Sequence, residues 1–230
     1  MAEKSLFFVF FNTPYNTGKF IRKMTKFPYN HSAVSLSSDM SEIYSFSRHH
    51  KPAAFYAGFT KESILRYRNK GETATMKICA VPVSEEQFSK AKERIEYLRE
   101  NWEDTLYNII SASFFLSEKR IKIRNAYTCV EFVLETLKNY TDIPEVKNRD
   151  FCSIKELCKI LDKYTVYEGS AEKFFEGASW EGDRFLEENR RLFLFGKTLS
   201  NNAKLILRLI KKEKKKHGRI SARFVFCISF

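Results

Sequence analysis

A run of six large apolar residues at positions 6–11 constrains the fold of this chain more than any other segment. A continuous apolar run of this length, bounded by turn residues, is typical of a buried β-strand. The run is far shorter than the roughly 20 residues that span a bilayer. A chain of 230 residues, of which 43% are hydrophobic, is long enough to enclose such a strand in a substantial core.

The rest of the chain contains both strand-like and helix-like segments. Period-two alternation predicts a β-hairpin over residues 31–47 and further strands over residues 73–83 and 165–167. Apolar residues at helical spacing, with a capping box between Ser84 and Gln87, predict the helices. The predicted helices cover residues 17–25, 84–102, 106–116, a segment from 128, 153–164 and 200–216. Residues 52–58 are predicted as a loop, 174–195 have no clear period, and 223–230 are predicted as a terminal strand.

Positive charge is concentrated at the C-terminal end of the chain. From residue 197 onward there are ten Lys or Arg residues against the single acidic residue Glu213, so this segment carries +9 of the net charge of +12. We therefore predict a nearly neutral domain over residues 1–196 and a basic amphipathic tail over residues 197–230.

Within the tail, residues 204–216 combine an apolar stripe with dense lysine. Such a helix can lie on an anionic membrane surface, where each lysine contributes about 1 kcal/mol. It can also contact the phosphates of a nucleic acid, or dock on the body with its lysines in water. The aromatic residues expected of a single-strand binder are absent until Phe224 and Phe226, which disfavours nucleic acid as a partner.

Cysteine usage and the N-terminus bear on the compartment. The five cysteines are an odd number with no CxxC pair, which disfavours both a disulfide framework and a zinc site, and no cofactor is expected. The first residues do not resemble a secretory signal, because Glu3 and Lys4 interrupt them and the apolar run is short. We therefore predict a cytoplasmic protein with reduced thiols, with peripheral membrane attachment as an option through the tail.

The sharpest chemical signal surrounds Cys129. Thr128 and Glu131 have the spacing of a capping box, which places Cys129 at the first position of a helix. The helix dipole and the free N–H groups there stabilise a thiolate and lower its pKa. The same amides can receive the oxyanion of a tetrahedral intermediate. The alternative is a structural cysteine that packs in the core like Val130 and Val133.

Of the four histidines, His31 is the best candidate for a base that partners this thiol. It opens a predicted strand and is followed by two small residues, which leave room for a helix to approach. His49 and His50 are predicted on an exposed loop, and His217 falls within the lysine-rich tail. The alternative is that His31 is a core or strand-edge histidine whose hydrogen bonds are satisfied structurally.

These two segments together resemble a known family. Residues 28–36 and 43–46 resemble the histidine hairpin of NlpC-type papain-like hydrolases, and residues 127–133 resemble their cysteine helix. Histidine precedes cysteine here, which is the circularly permuted order of YiiX-like and lecithin:retinol acyltransferase-like proteins. The resemblance covers about residues 5–170. It implies an α+β, permuted papain-like fold, in which a small antiparallel sheet carrying His31 packs against the helix that begins at Cys129.

The resemblance also implies an activity. Cys129 would attack an amide or ester carbonyl of a peptide or lipid, and His31 would take and return the proton, as in a cysteine peptidase, an amidase, a lipid acyl hydrolase or an acyltransferase. Matching residues 43–46 to the strand after the histidine puts Ser45 in the orienting position, where relatives more often carry His, Glu, Asn or Gln. A hydroxyl is a weaker orienting group. Two alternatives therefore stay open: an inactive papain-like binding protein, and a membrane-associating protein that acts through its basic tail.

Overall fold

The structure is a computed structural model that describes residues 4–67, 74–114, 120–176 and 184–226, with side chains described up to residue 212. It is a mixed α+β structure built on one sheet. The strands are β1 (Lys4–Asn12), β2 (His31–Ser35), β3 (Ile43–Arg48), β4 (Ala57–Glu62), β5 (Thr75–Val83), β6 (Leu106–Tyr107), β7 (Ala126–Tyr127) and β8 (Thr165–Ser170). The helices are α1 (Asn16–Thr25), α2 (Glu85–Glu100), α3 (Ile109–Ser113), α4 (Cys129–Tyr140), α5 (Pro144–Lys147), α6 (Ile154–Ile160), α7 (Ala171–Phe174) and α8 (Arg191–Phe226).

The strand order is β7-β6-β4-β3-β2-β1-β5-β8. Neighbouring strands are antiparallel except for the short parallel pair β6–β7. The sheet is therefore larger than the small antiparallel sheet expected from the sequence, and it is mixed. The predicted hairpin over residues 31–47 is confirmed, since β2 and β3 pair with Val34 opposite Tyr44.

Strand β1 is buried on both faces, as the apolar run predicts. Phe8 and Phe10 belong to the larger core, which α2, α4 and α6 cover. Val9 and Phe11 belong to a second core on the opposite face. Full burial of one such side chain contributes roughly 1.5–3 kcal/mol relative to exposure, so this strand alone supplies much of the driving force for assembling the sheet.

Both predicted capping boxes are present. In α2 the Gln87 N–H donates to Ser84 Oγ at 3.2 Å, and the Ser84 N–H donates to Gln87 Oε1 at 2.8 Å. In α4 the corresponding distances are 3.1 Å to Thr128 Oγ1 and 2.7 Å to Glu131 Oε2. Each cap stabilises its helix by about 1 kcal/mol and fixes the residue at which it begins.

Strand β4 overlaps the segment predicted as a loop. The misleading signal is Gly58, which usually marks a break in a strand. Here a Cβ at Gly58 would lie 2.4 Å from the carbonyl oxygen of Thr105, so the close approach of β4 to the chain before β6 requires glycine. The predicted helix over residues 106–116 is also wrong at its start. Leu106 pairs with Gly58, and Asn108 caps α3 by accepting the Ser111 N–H, so the helix begins only at residue 109.

Helix α8 starts before the predicted domain boundary and continues through it. Leu194 and Leu205 are buried against the body. Arg208 Nη1 donates to the carbonyl oxygen of Asp104 at 2.9 Å, and Lys212 Nζ donates to that of Lys122 at 2.7 Å. The part of the tail up to residue 212 therefore packs on the body, and residues 223–226 are helical instead of forming the predicted strand. Residues 227–230 lie outside the described ranges.

The other side of α8 leaves apolar side chains in water. The exposed large hydrophobic residues on this helix are Leu192, Phe193, Phe195, Leu199, Ile206, Leu207 and Ile210. Within the described ranges, no helix has both the length and the apolar character needed to cross a membrane.

Candidate active site

Cys129 is the first residue of α4, as the capping box predicts. Its side chain is buried where the start of this helix meets the start of β2. Burial raises the pKa of a thiol, but here the neighbouring His31 imidazole and the Ser32 N–H outweigh that effect and hold the pKa of Cys129 below its ordinary value. The helix end therefore carries a thiol with thiolate character.

His31 is the first residue of β2 and lies beside Cys129, close enough to share a hydrogen bond with it. Its ring stacks on Phe11 with centroids 6.3 Å apart. Burial disfavours the imidazolium, yet the charges of the Glu62 carboxylate and the Cys129 thiolate raise the pKa of His31 to about 10. The two shifts act together, because each side chain favours the charged form of the other, and they favour a thiolate–imidazolium pair.

Glu62, the last residue of β4, forms a hydrogen bond with the Nε2 atom of the His31 imidazole. His31 Nε2–H donates to Glu62 Oε1 at 3.1 Å and to Oε2 at 3.2 Å. Because Nε2 is occupied in this way, Nδ1 is the nitrogen left to face the thiol. The Glu62 side chain is fully buried, so its charge acts on His31 with little screening by water.

Four further side chains donate to the Glu62 carboxylate. Ser45 Oγ donates to Oε1 at 2.5 Å, and Ser47 Oγ donates to the same oxygen at 2.6 Å. Arg66 Nη1 lies 3.2 Å from Oε1, and the Tyr67 hydroxyl donates to Oε2. Burial alone would raise the pKa of Glu62, but His31 and Arg66, together with these hydrogen bonds, keep it well below the ordinary carboxyl value. The carboxylate stays ionised throughout the neutral range.

The structure corrects the role predicted for Ser45. Ser45 donates its hydrogen bond to Glu62 and not to His31, and the group that orients the imidazole is the Glu62 carboxylate. Tyr44 points to the opposite face, as strand alternation requires, and stacks on Phe59 with centroids 5.8 Å apart. Ser45 thus helps to hold the orienting group.

The other predicted histidine positions also change. His49 and His50 are buried instead of exposed, and both pack against the Tyr56 ring, at centroid distances of 4.8 and 5.9 Å. His50 Nδ1 lies 3.4 Å from Asn189 Nδ2. The side chain of His217 lies outside the described residues.

A cavity of about 470 Å³ opens onto this cluster, and Cys129, His31 and Glu62 all line it. Its walls are mainly apolar and include Phe20, Phe46, Phe55, Leu106 and Ile109. This volume lies within the range of sites that bind small organic ligands. A small ligand in this cavity could therefore contact the thiol while its apolar part is buried.

Tyr107, on β6, is a site residue that the sequence reasoning missed. It lines the cavity, and its pKa is raised by burial and then by the neighbouring charges of Cys129 and Glu131. The phenol therefore stays protonated and can donate a hydrogen bond near the thiol. The segment was predicted as helix, and a tyrosine on a helix of unknown orientation gave no signal of its position.

No protein-family model matches this chain, and neither a curated protein nor a solved structure matches it. What this site can do therefore has to follow from its own geometry and chemistry.

Proposed function

We propose that this chain is a cysteine hydrolase or acyltransferase with a permuted papain-like architecture. The observation that carries the proposal is the buried Cys129–His31–Glu62 series on the wall of a ligand-sized cavity, with the thiol at a helix N-terminus. The order of base before nucleophile along the chain is that of the permuted family which the sequence resembles.

In the first half of the reaction, the Cys129 thiolate attacks the carbonyl carbon of an ester or amide, and an electron pair moves to the carbonyl oxygen. The N–H of Cys129 at the start of α4 and the Tyr107 phenol are the donors for this oxyanion. His31 gives its proton to the leaving alcohol or amine as that bond breaks, and a thioester remains. Glu62 stays ionised and holds the imidazole in place.

In the second half, neutral His31 takes a proton from water or from a second acceptor, which attacks the thioester carbonyl. Collapse of the tetrahedral intermediate releases the acid or the transferred acyl product and restores the thiolate and the imidazolium. Water as acceptor gives hydrolysis, and an alcohol or amine gives acyl transfer. The substrate is a peptide or a lipid whose acyl part fits the apolar walls of the cavity.

Two alternatives remain for comparison. The inactive binding protein was suggested by the weak orienting group at Ser45, and the Glu62 carboxylate removes that reason. Membrane association through residues 204–216 is favoured by Ile206, Leu207 and Ile210, which are exposed on a basic helix. A flotation assay with anionic vesicles tests this second candidate, and failure to float would exclude it.

The deciding experiment is the pH dependence of alkylation at Cys129 by iodoacetamide, mapped by mass spectrometry. We expect fast labelling well below the ordinary thiol pKa of about 8.5, because the imidazolium stabilises the thiolate. The His31→Gln variant should label at least about tenfold more slowly at pH 6, since the cation is lost. The other buried thiols of the same protein serve as internal controls: Cys79, Cys152 and Cys158.

An ester and amide screen completes the test. Turnover that disappears in Cys129→Ala, in a variant whose circular dichroism matches that of the wild type, supports the proposal. Labelling of Cys129 that is no faster than that of the control thiols and indifferent to His31 would contradict it.

A further inference from the structure

Among the residues that the structure describes, one cation that lines the cavity has no counter-ion. His31 lies beside the Cys129 thiol and the Glu62 carboxylate, and Arg66 pairs with the same carboxylate. Arg48, the last residue of β3, also lines the cavity. Within the described ranges, no carboxylate lies at ion-pair distance from its guanidinium, and its one hydrogen bond is a long contact of 3.4 Å to the carbonyl oxygen of Lys51.

Two aromatic rings hold this guanidinium in position. It lies over Tyr15 at 5.0 Å and over Phe185 at 5.4 Å from the ring centroids. Stacking of this kind orders a side chain while leaving the N–H groups at the edge of the guanidinium for a ligand. Both rings also line the cavity. Arg48 is therefore a largely preorganised cation, so little conformational entropy is lost when it binds an anion.

The surroundings of Arg48 also favour the binding of an anion. It is partly buried, and Arg66 is close enough that burial and this second cation both lower the pKa of the Arg48 guanidinium. The Arg66 Nη1 atom also lies 3.5 Å from the carbonyl oxygen of Arg48. An anionic group in the cavity would relieve this unfavourable placement of like charges, and an arginine fork matches carboxylate and phosphate geometry.

From these observations we infer that the cavity contains an anion subsite at Arg48, and that the substrate is an acyl ester or amide that also carries a carboxylate or phosphate. The apolar walls bind the hydrocarbon part, and Arg48 binds the charge while the carbonyl faces Cys129. The anion can belong to a soluble acid or to a lipid headgroup. This inference rests on the proposed function, which it deepens by naming the substrate class.

Binding is measured first, because it does not depend on turnover. Isothermal titration calorimetry of the full chain with hexanoate, hexyl phosphate and hexanol compares anions with a neutral analogue of the same length. We expect the anions to bind roughly 10- to 100-fold more tightly than hexanol, as for a hydrogen bond to a charged group. In Arg48→Gln this preference should fall to within about threefold.

Lys51 provides the matched control. It lies over the same Tyr15 ring at 5.9 Å but does not line the cavity, so Lys51→Gln removes one positive charge nearby and keeps the backbone carbonyl that accepts from Arg48. This variant should keep most of the preference for anions. The Arg48→Lys variant retains the charge but loses the planar fork, and it should give an intermediate preference. Equal preferences in wild type, Arg48→Gln and Lys51→Gln would overturn the inference.

Turnover then identifies the source of the anion. One pair of probes is the 4-nitrophenyl monoester of adipic acid against 4-nitrophenyl hexanoate, and the other is dihexanoylphosphatidic acid against dihexanoylglycerol. An Arg48-dependent preference in the first pair assigns a soluble carboxylate, and one in the second assigns a phospholipid headgroup. If no ester is cleaved while the anions still bind through Arg48, the proposed function fails and the subsite stands. If neutral and charged probes are cleaved equally, the subsite fails and the proposed function stands.

Discussion

Two clusters of charged side chains on the same sheet, each around a buried cation, shift the pKa of their thiols in opposite directions. At one, His31 and Glu62 hold the pKa of Cys129 below its ordinary value. At the other, on β5, the buried Lys77 ammonium lies near Cys79 and Cys158, yet burial raises the pKa of these two thiols to about 12 and about 11. Both clusters place a cation near a buried sulfur, so proximity of charge alone does not activate a thiol.

The two clusters differ in the groups that each cation contacts. Lys77 donates to Asp162 and lies 3.3 Å from Glu168, so its charge is neutralised by two carboxylates that are themselves more than half exposed. His31 has one carboxylate on Nε2 and its second nitrogen free for the thiol. A thiolate is stabilised when the cation donates a hydrogen bond directly to the sulfur, as His31 does and Lys77 does not, and when the balancing carboxylate cannot reach water. The predictions below test this comparison, in order of decreasing effect.

Replacing a cysteine of each cluster with alanine should give the largest difference in activity between the two clusters. Cys129→Ala should reduce kcat/KM on any substrate found in the screen by at least about 10³-fold, because the acyl acceptor is lost. Cys158→Ala removes a buried thiol of the Lys77 cluster and should leave kcat/KM within about threefold. Steady-state kinetics on both variants checks this, and a comparable loss in Cys158→Ala would break the comparison.

Neutralising the buried carboxylate should have the next largest effect. Glu62→Gln removes the charge that stabilises the His31 imidazolium, and kcat/KM should fall about 10²- to 10⁴-fold. It also removes a buried carboxylate partner of Arg66, which should lower the free energy of unfolding by about 3–5 kcal/mol. Urea denaturation measures the change in the free energy of unfolding. Alkylation of Cys129 at pH 6, at temperatures where the variant is folded, reports the loss of stabilisation of the imidazolium.

The corresponding change at the other cluster is Lys77→Met. Asp162 and Glu168 can be hydrated once the ammonium is gone, so the loss of unfolding free energy should stay at about 1–2 kcal/mol. The alkylation rate of Cys129 should not change. A slower rate at Cys129 in Lys77→Met would show that the two clusters are coupled through the sheet.

The pH profile should follow the direction of each pKa shift. The rate should fall about tenfold per pH unit below the lowered pKa of Cys129, and fall again above about pH 10, where His31 has lost the proton that the leaving group needs. Because the pKa of His31 is higher in the folded chain than the unfolded value of 6.5, its contribution to stability is complete below pH 6.5 and is lost as pH rises through about 10.

Denaturant midpoints between pH 6 and pH 10.5 check the second half of this prediction. The midpoint should drop less over this range in His31→Gln than in the wild type. A drop of the same size in both proteins would assign the pH dependence to other groups.

The smallest effect is expected at Ser45. Ser45→Ala removes one of several donors to Glu62, so we expect a loss of about 1–2 kcal/mol in unfolding free energy and a few-fold decrease in kcat/KM. Ser41→Ala, in the exposed turn between β2 and β3, is a control for loss of a hydroxyl and should change neither quantity. A loss at Ser45 as large as that of Glu62→Gln would return it to the orienting role first predicted from the sequence.

Cys129 and His31 could be chosen as candidates from the sequence because each has a local marker. Thr128 and Glu131 specify where α4 begins, and His31 opens a strand with clear alternation. Glu62 has no such marker, because a glutamate at a strand end normally faces water and Gly58 obscures the strand that carries it. Its role depends on contacts with His31 on β2 and with four further donors, two on β3 and two just after β4, and only the tertiary structure brings these together. The sole local hint is the i,i+4 spacing of Glu62 and Arg66.

For the C-terminal tail, the sequence predicted the helix but not how it packs on the body. The amphipathic pattern predicted a helix over residues 200–216, and this is confirmed within α8. The pattern does not show which apolar side chains face the body, since Leu205 is buried while Ile206 and Leu207 are exposed. Docking also uses backbone carbonyl groups that accept from Arg208 and Lys212, and sequence patterns carry no record of such acceptors.

His31 and Cys129 are each the first residue of their element, and they lie far apart along the chain. The thiol therefore meets its cation only after α4 has docked on β2, a contact with a high cost in loop closure. During refolding, a chain that has formed its local helices and hairpin but not this contact would carry an ordinary, slowly reacting cysteine. Pulse alkylation at pH 6 would then report when α4 docks on β2, so the reactivity of this one sulfur follows the formation of a single long-range contact during folding.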